Sequence, residues 1–209
     1  MILYVDRFWI SPYVFSCFVA LLEKGVGFET QEVGLDRGDQ RTPDYLARSI
    51  TGRVPMLTDG DFSLAESQAI LDYLEDTRPT PPIFPRDPKQ RARARQILAW
   101  LRSDLEALRA ERSTTTMFYD HTTVPLSAAG AASAEKLLAV ASRLLPNGKT
   151  QLFDDWCIAD ADLAFMLHRL LLNNHEHAPA NVRAFAEAQW TRPSVIEFVR
   201  RARPTYVPY

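Results

Sequence analysis

Two short segments in the first third of the chain carry residue types suited to a binding or reactive site. Ser11-Pro12 follows the apolar run Ile2–Val5. Ser is a favoured helix N-cap and Pro suits the first helical position. A helix opening there carries a hydroxyl at its positive end, where an anion is favoured. Glu66-Ser67 stands at the start of another helical pattern. A helix N-terminus offers unpaired N–H groups to a carboxylate, the Ser67 hydroxyl adds a donor, and Glu66 can neutralise an ammonium. Between them lies Val54-Pro55 at the head of a strand-like run. The two segments also have plain structural readings, a helix cap and an acidic first turn, and Val54-Pro55 reads as a strand-start proline.

Other chemistries find less support. Cys17 and Cys157 have no CxxC or metal spacing, and both stand in apolar surroundings that suit buried, reduced thiols. His121, His168, His175 and His177 have no spacing with carboxylates or Cys that a metal needs, and His175-x-His177 reads as a polar helix end. A serine hydrolase would need a nucleophile elbow and a His/Asp pair, and the chain offers neither.

The elements that must position these residues follow from periodicity and turn chemistry. Ile2–Val5 reads as a strand, and the helix opened by Ser11-Pro12 closes at Gly25. Residues 28–35 form a second strand and 42–48 a short helix. Residues 54–58 and 62–64 pair through the Asp59-Gly60 turn, and a helix begins at Ala65-Glu66-Ser67. A strand-helix-strand unit implies a parallel pair, to which the hairpin adds an antiparallel edge. Pro79, Pro81, Pro82 and Pro85 then make an extended linker. Beyond it the chain is helical. Ala94, Ile97, Leu98, Leu101, Leu105 and Leu108 keep helical spacing along one long helix. Further helices are expected over 127–145, 160–172, 180–190 and 193–203, with a non-helical tail.

Hydrophobic residues make up 46% of the 209 and charged residues 24%, with a formal net charge of −2. That is an ordinary globular composition, large enough for a core, and no global field favours nucleic acid or an anionic membrane. The start of the chain lacks a basic leader, and no apolar run approaches membrane-spanning length. With reduced thiols, this sets the expectation of a cytoplasmic protein.

Taken in order, Ser11-Pro12-Tyr13-Val14, Gly52-Arg53-Val54-Pro55, Glu66-Ser67, Cys157-Ile158-Ala159-Asp160-Ala161-Asp162 and Arg192-Pro193-Ser194-Val195 resemble the glutathione transferase family, in its bacterial, serine-type form. The resemblance covers nearly the whole chain. It implies an α/β thioredoxin-like N-terminal domain with a mixed four-stranded sheet over 1–78, a Pro-rich linker over 79–86, and an all-α domain over 87–209. It implies glutathione as co-substrate, no metal, and Ser11 as the catalytic hydroxyl. Arg53, Val54, Pro55, Glu66, Ser67 and Gln40 would hold glutathione, with Arg37 and Arg41 as further candidates for its glycyl carboxylate. Pro55 resembles the family's cis-proline. Ser49-Ile50 stands where the family has Asn-Pro, and Cys157 where it has Ser or Thr. Asp160 would be structural, bonding back to the amide of residue 157.

The chemistry implied is thiol activation. Glutathione's thiol has a pKa like that of free cysteine, and the attacking species is the thiolate. A hydrogen bond to a charged group is worth roughly 1.5–3 kcal/mol, or about 1–2 pKa units. Ser16, Tyr4 and Tyr13 are other hydroxyls near enough in sequence to serve. A serine cannot form a mixed disulfide, but disulfide reduction by two glutathione molecules needs none. The second substrate would be a small apolar electrophile or a peroxide, in a pocket between domains lined by Phe8, Trp9, Met117, Phe118 and Tyr119. A homodimer is implied, and no nucleic-acid or membrane partner. The contrasting reading is a non-catalytic docking module on the same fold.

Overall fold

The computed structural model describes residues 1–173 and 178–209, so His175-x-His177 lies outside the described residues. The chain packs as two compact units, Met1–Ile83 with Glu197–Tyr209, and Phe84–Ile196.

The first unit is a thioredoxin-like α/β layer. Its elements are β1 (Ile2–Asp6), α1 (Pro12–Glu23), β2 (Glu29–Val33), α2 (Pro43–Leu46), β3 (Met56–Asp59), β4 (Phe62–Ala65) and α3 (Ser67–Thr77). The strands form one mixed sheet in the order β2-β1-β3-β4. β1 and β2 are parallel, with Ile2 opposite Glu29. β3 runs antiparallel to β1, with Tyr4 opposite Met56, and β4 antiparallel to β3. Gly60 closes the β3–β4 turn at φ +64°, a conformation that costs glycine nothing. Leu3, Val5, Val14, Phe15, Ile70 and Leu71 are fully buried where the helices cover the sheet.

Two long-range ties complete this unit. The Lys24 ammonium is buried and donates to Glu75 Oε2 at 2.8 Å, Arg78 O at 2.6 Å and Pro81 O at 2.9 Å. Glu75 Oε2 also accepts from Ile83 N–H at 3.0 Å. All three ammonium protons therefore have acceptors, the condition for burying such a charge. The second tie is the C-terminal segment. Phe198 meets Phe15 and Trp9 edge-on at 5.3 and 5.7 Å. The Arg201 guanidinium lies 3.7 Å from the centre of the Trp9 ring, and Arg203 Nε donates to Trp9 O at 3.1 Å. Tyr209 stacks on Phe8 at 5.9 Å. Phe8 and Trp9, read from the sequence as pocket-lining, are instead core residues at 0% and 1% exposure.

The second unit is all helical: α4 (Pro88–Ser103), α5 (Glu106–Glu111), α6 (Thr115–Phe118), α7 (Ala128–Leu144), α8 (Ile158–Leu171), α9 (Ala180–Trp190) and the start of α10 (Pro193–Val199). The single long helix expected through Leu108 breaks at Leu105, whose φ is +63°. Asp104 Oδ1 accepts the Leu105 amide at 2.7 Å. Arg109 donates to Leu101 O at 3.2 Å and Arg102 O at 2.9 Å, satisfying carbonyls that the break releases. Ser127 caps α7 by accepting from Gly130 N–H at 3.1 Å. α8 is the central helix, with Ile158, Leu163, Ala164 and Leu167 at 0–1% exposure. α10 ends at Val199, short of the expected 203. No helix among the described residues is long and apolar enough to cross a membrane.

Candidate functional site

Ser11 caps α1 as its sequence suggests. Its backbone is extended (φ −66°, ψ 121°), and its Oγ accepts from Val14 N–H at 3.3 Å. The cap uses a lone pair of the hydroxyl and leaves its proton uncommitted. Among the described residues nothing accepts that proton. Ser11 is half-buried, so a bound ligand can reach it. Its amide donates to Asp6 Oδ1 at 3.1 Å, and the Ile10 amide to Asp6 Oδ2 at 2.8 Å.

The competing hydroxyls are placed differently. Ser16 is fully buried within α1. Tyr4 is 4% exposed, and Arg48 donates to its hydroxyl. Tyr13 is 37% exposed. Cys17 is buried, with Sγ 3.7 Å from Ser67 O, so this thiol links α1 to the start of α3.

The Val54-Pro55 bond is cis. Val54 lies outside the β3 ladder, and its N–H and C=O enter no backbone hydrogen bond among the described residues. The loop before it is anchored by Tyr45, whose hydroxyl donates to Arg53 O at 2.8 Å, and by Ser49 Oγ, which accepts from Gly52 N–H at 3.1 Å. Arg53 itself is exposed.

Glu66 and Ser67 stand where β4 turns into α3. Glu66 is exposed, with φ +73° and ψ 114°. A non-glycine residue in that region costs of order 1–3 kcal/mol, and such outliers cluster at ligand clamps. Ser67, the first residue of α3, is 5% exposed. Gln40 is half-buried at the centre of the 3-10 turn Asp39–Arg41, and its Oε1 is a buried acceptor without a partner among the described residues. Arg37 is committed to Asp39 at 2.9 Å, and Arg41 is exposed. Among the described residues, no three His, Cys, Asp or Glu side chains converge as a metal site.

One feature of this region was not singled out from the sequence. Asp6 is buried at 0% exposure, and burial raises its carboxyl pKa against the opposing pull of the Ile10 and Ser11 amides. Its only sequence signal is an acid closing an apolar strand.

In the helical unit, Asp160 Oδ2 accepts from Cys157 N–H at 2.8 Å and Oδ1 from Leu152 N–H at 2.6 Å. With the thiol facing back toward α8, the pair has the reciprocal geometry of a capping box. Burial raises the Asp160 pKa to about 6 and pushes the Cys157 thiol well up.

A thioredoxin-like unit that presents a hydroxyl-capped helix, a cis-proline and an exposed turn into α3, joined in sequence to a helical unit, defines a two-part α/β-plus-α class of protein. Residues 7–82 match the family model for the glutathione S-transferase N-terminal domain, and residues 87–203 that for its C-terminal domain. The chain belongs to the glutathione S-transferase family.

Among its relatives of known structure is a glutathione transferase homolog from Burkholderia with bound glutathione. It is 37% identical, covers 95% of each chain and superposes with a TM-score of 0.77. A maleylacetoacetate isomerase from Methylobacterium extorquens, with bound malonate and glutathione, is 28% identical over 100% of both chains, with a TM-score of 0.75. The maleylacetoacetate isomerase of Pseudomonas aeruginosa is 40% identical over 93 residues, 43% of this chain and 44% of that protein. The chain spans between about a quarter and a half of the length of the curated relatives it matches.

Proposed function

We propose that this protein is a glutathione transferase in which Ser11 activates the glutathione thiol for attack on apolar electrophiles. The observation that carries this reading is the double use of one hydroxyl. Ser11 Oγ accepts the Val14 amide at 3.3 Å through a lone pair and retains a proton to donate to sulfur. A thiolate held there meets an O–H donor and the positive end of α1, and both favour the charged form. Val54 offers an unpaired backbone edge to the cysteinyl residue. Ser67 and the α3 amides suit the γ-glutamyl carboxylate, and exposed Glu66 suits its ammonium. Gln40 and Arg53 are assigned to the glycyl end; the orphan Gln40 acceptor is satisfied by a ligand N–H. The chemical step is attack of the thiolate on an electrophilic carbon. A carbon–sulfur bond forms, and the leaving group departs with the electron pair of the bond that breaks. A peroxide O–O bond is an alternative target, in which sulfur is oxidised to the sulfenic level and the peroxide reduced to alcohol or water.

We also propose a homodimer. Two features support it: Ile50 is 92% exposed on the first unit, and an apolar groove of about 290 Å³ between α4 and α7 is lined by Ile97, Trp100, Val140 and Leu144.

The experiment for the catalytic reading is the pH–rate profile of Ser11→Ala with glutathione and an activated aryl halide. Loss of a bond to a charged group raises the pKa of the bound thiol by about 1–2 units. Turnover falls at neutral pH and recovers in part as pH rises, while glutathione affinity by calorimetry changes little. An unchanged profile with only a loss of folding stability makes Ser11 a helix cap and nothing more.

A further inference from the structure

We propose that Asp6 is the positioning residue for Ser11, acting through the backbone of the segment between β1 and α1. This inference rests on the reading of Ser11 as the thiol-activating hydroxyl, and deepens it.

Asp6 ends β1 and is wholly buried. A buried carboxylate is costly unless its oxygens find donors. Here each oxygen takes one of two successive amides, Ile10 N–H at 2.8 Å and Ser11 N–H at 3.1 Å. Two contacts from one rigid, planar group fix the successive Trp9-Ile10 and Ile10-Ser11 peptide units relative to each other and to the end of β1. The rest of the excursion is consistent with that grip. Trp9 N–H bonds back to Asp6 O at 2.9 Å, and Trp9 takes a left-handed φ of +52°, which turns the chain toward the carboxylate. Arg7 N–H is held by Val33 O at 3.1 Å on the neighbouring strand. Arg203 supplies positive charge toward Asp6 while bonding to Trp9 O, and the Tyr209 hydroxyl also faces the carboxyl electrostatically.

The Val14 contact of the Ser11 hydroxyl, at 3.3 Å, is long and leaves its direction weakly set. The direction of Oγ then depends on where the Ser11 Cα–Cβ bond points, and the Asp6 grip sets that direction. Asp6 therefore acts on sulfur through Ser11 and makes no contact of its own with the substrate.

The test is a double-mutant cycle on the full chain, with glutathione and an activated aryl halide. Asp6→Asn keeps the side-chain shape but replaces one amide-accepting oxygen with a donor. Losing the negative charge by itself favours the thiolate, so a fall in turnover reports lost geometry. Asp6→Asn is expected to lower kcat about 10-fold, with the KM for glutathione held within about two-fold and the pH–rate profile displaced upward. In the Ser11→Ala background the same change is expected to cost under about two-fold, because no hydroxyl remains to be misplaced. An equal cost in both backgrounds, or none in either, overturns the role of Asp6 and leaves that of Ser11 standing. A Ser11→Ala protein with wild-type kcat and profile removes both. The wild-type protein gives a second reading that needs no variant to fold. The amide nitrogen shifts of Ile10 and Ser11 are expected to titrate with the Asp6 carboxyl carbon, and to move again when the thiol of bound glutathione ionises. Amides that ignore either titration overturn the inference.

Discussion

His168 illustrates how a chemically capable side chain is disarmed by its surroundings. It lies in α8 at 4% exposure, stacked on Trp190 with ring centres 3.8 Å apart, and its Nδ1 meets Ala164 O at 2.8 Å. Burial pushes its pKa down to about 4 from the usual 6.5. Between those values the unfolded chain binds a proton that the folded chain refuses. Stability therefore falls as pH drops through that window and returns as pH rises. A His168→Phe protein, which keeps the stack and cannot titrate, is expected to lose about 2 kcal/mol less stability than wild type between pH 7 and pH 5. Urea denaturation at the two pH values measures this, and parallel losses in both proteins would remove His168 from the account. In the sequence His168 was one of four histidines without a metal spacing, and that much was legible. Its burial was not, because the partner Trp190 comes from another helix.

At the scale of the element, local signals placed the helix starts well and two helix ends, those of α4 and α10, poorly. Ser11 caps α1 as Ser11-Pro12 suggests and Ser127 caps α7 at the expected start, while Asp87, which caps α4 by accepting from the Lys89 and Gln90 amides, was not singled out from the sequence. The break at Leu105 escaped because apolar spacing continues through it to Leu108. The αL residue is leucine rather than glycine, and the support from Arg109 is visible only in three dimensions. α8 carries the prediction at this scale. Asp160 holds two amides, and its pKa, raised to about 6, means that its contribution is greatest below the unfolded value and declines as pH rises through about 6. Asp160→Ala is expected to lose about 0.5–2 kcal/mol as a cap, with the larger deficit at pH 5 and the smaller at pH 7. Turnover of the folded variant should stay near wild type. A denaturation midpoint that stands still while turnover collapses reverses the assignment.

For the whole molecule, the order of elements was legible because each segment's periodicity matches the element it forms. The parallel β1–β2 pair and the antiparallel β3–β4 pair followed from the strand-helix-strand unit and the Asp59-Gly60 hairpin, while the β1–β3 pairing that joins them left no local signal. What the sequence hid was the return of Glu197–Tyr209 to the first unit, where Phe198, Tyr206 and Tyr209 bury Phe8 and Trp9. Contacts at that separation leave no periodic trace, so two loop aromatics beside a candidate site read as pocket walls. The candidate site was legible as segments, while Asp6, which reaches along the backbone to Ser11, was not. At this scale the proposed dimer is the property to measure. Light scattering at micromolar concentration is expected to give about twice 23.7 kDa. A stable monomer at that concentration counts against the association of Ile50 and the α4–α7 groove with a second copy.

The burial of Lys24 gives the protein an internal clock. Lys89, Lys136 and Lys149 are exposed, whereas the Lys24 amine is enclosed by Glu75 and two carbonyls. An amine-acylating reagent therefore modifies the first three in the folded protein. It reaches Lys24 only when residues 78–83 lift away from α1. The lag between the two classes of label, followed by mass spectrometry, times the opening of the Pro-rich segment without any engineered probe.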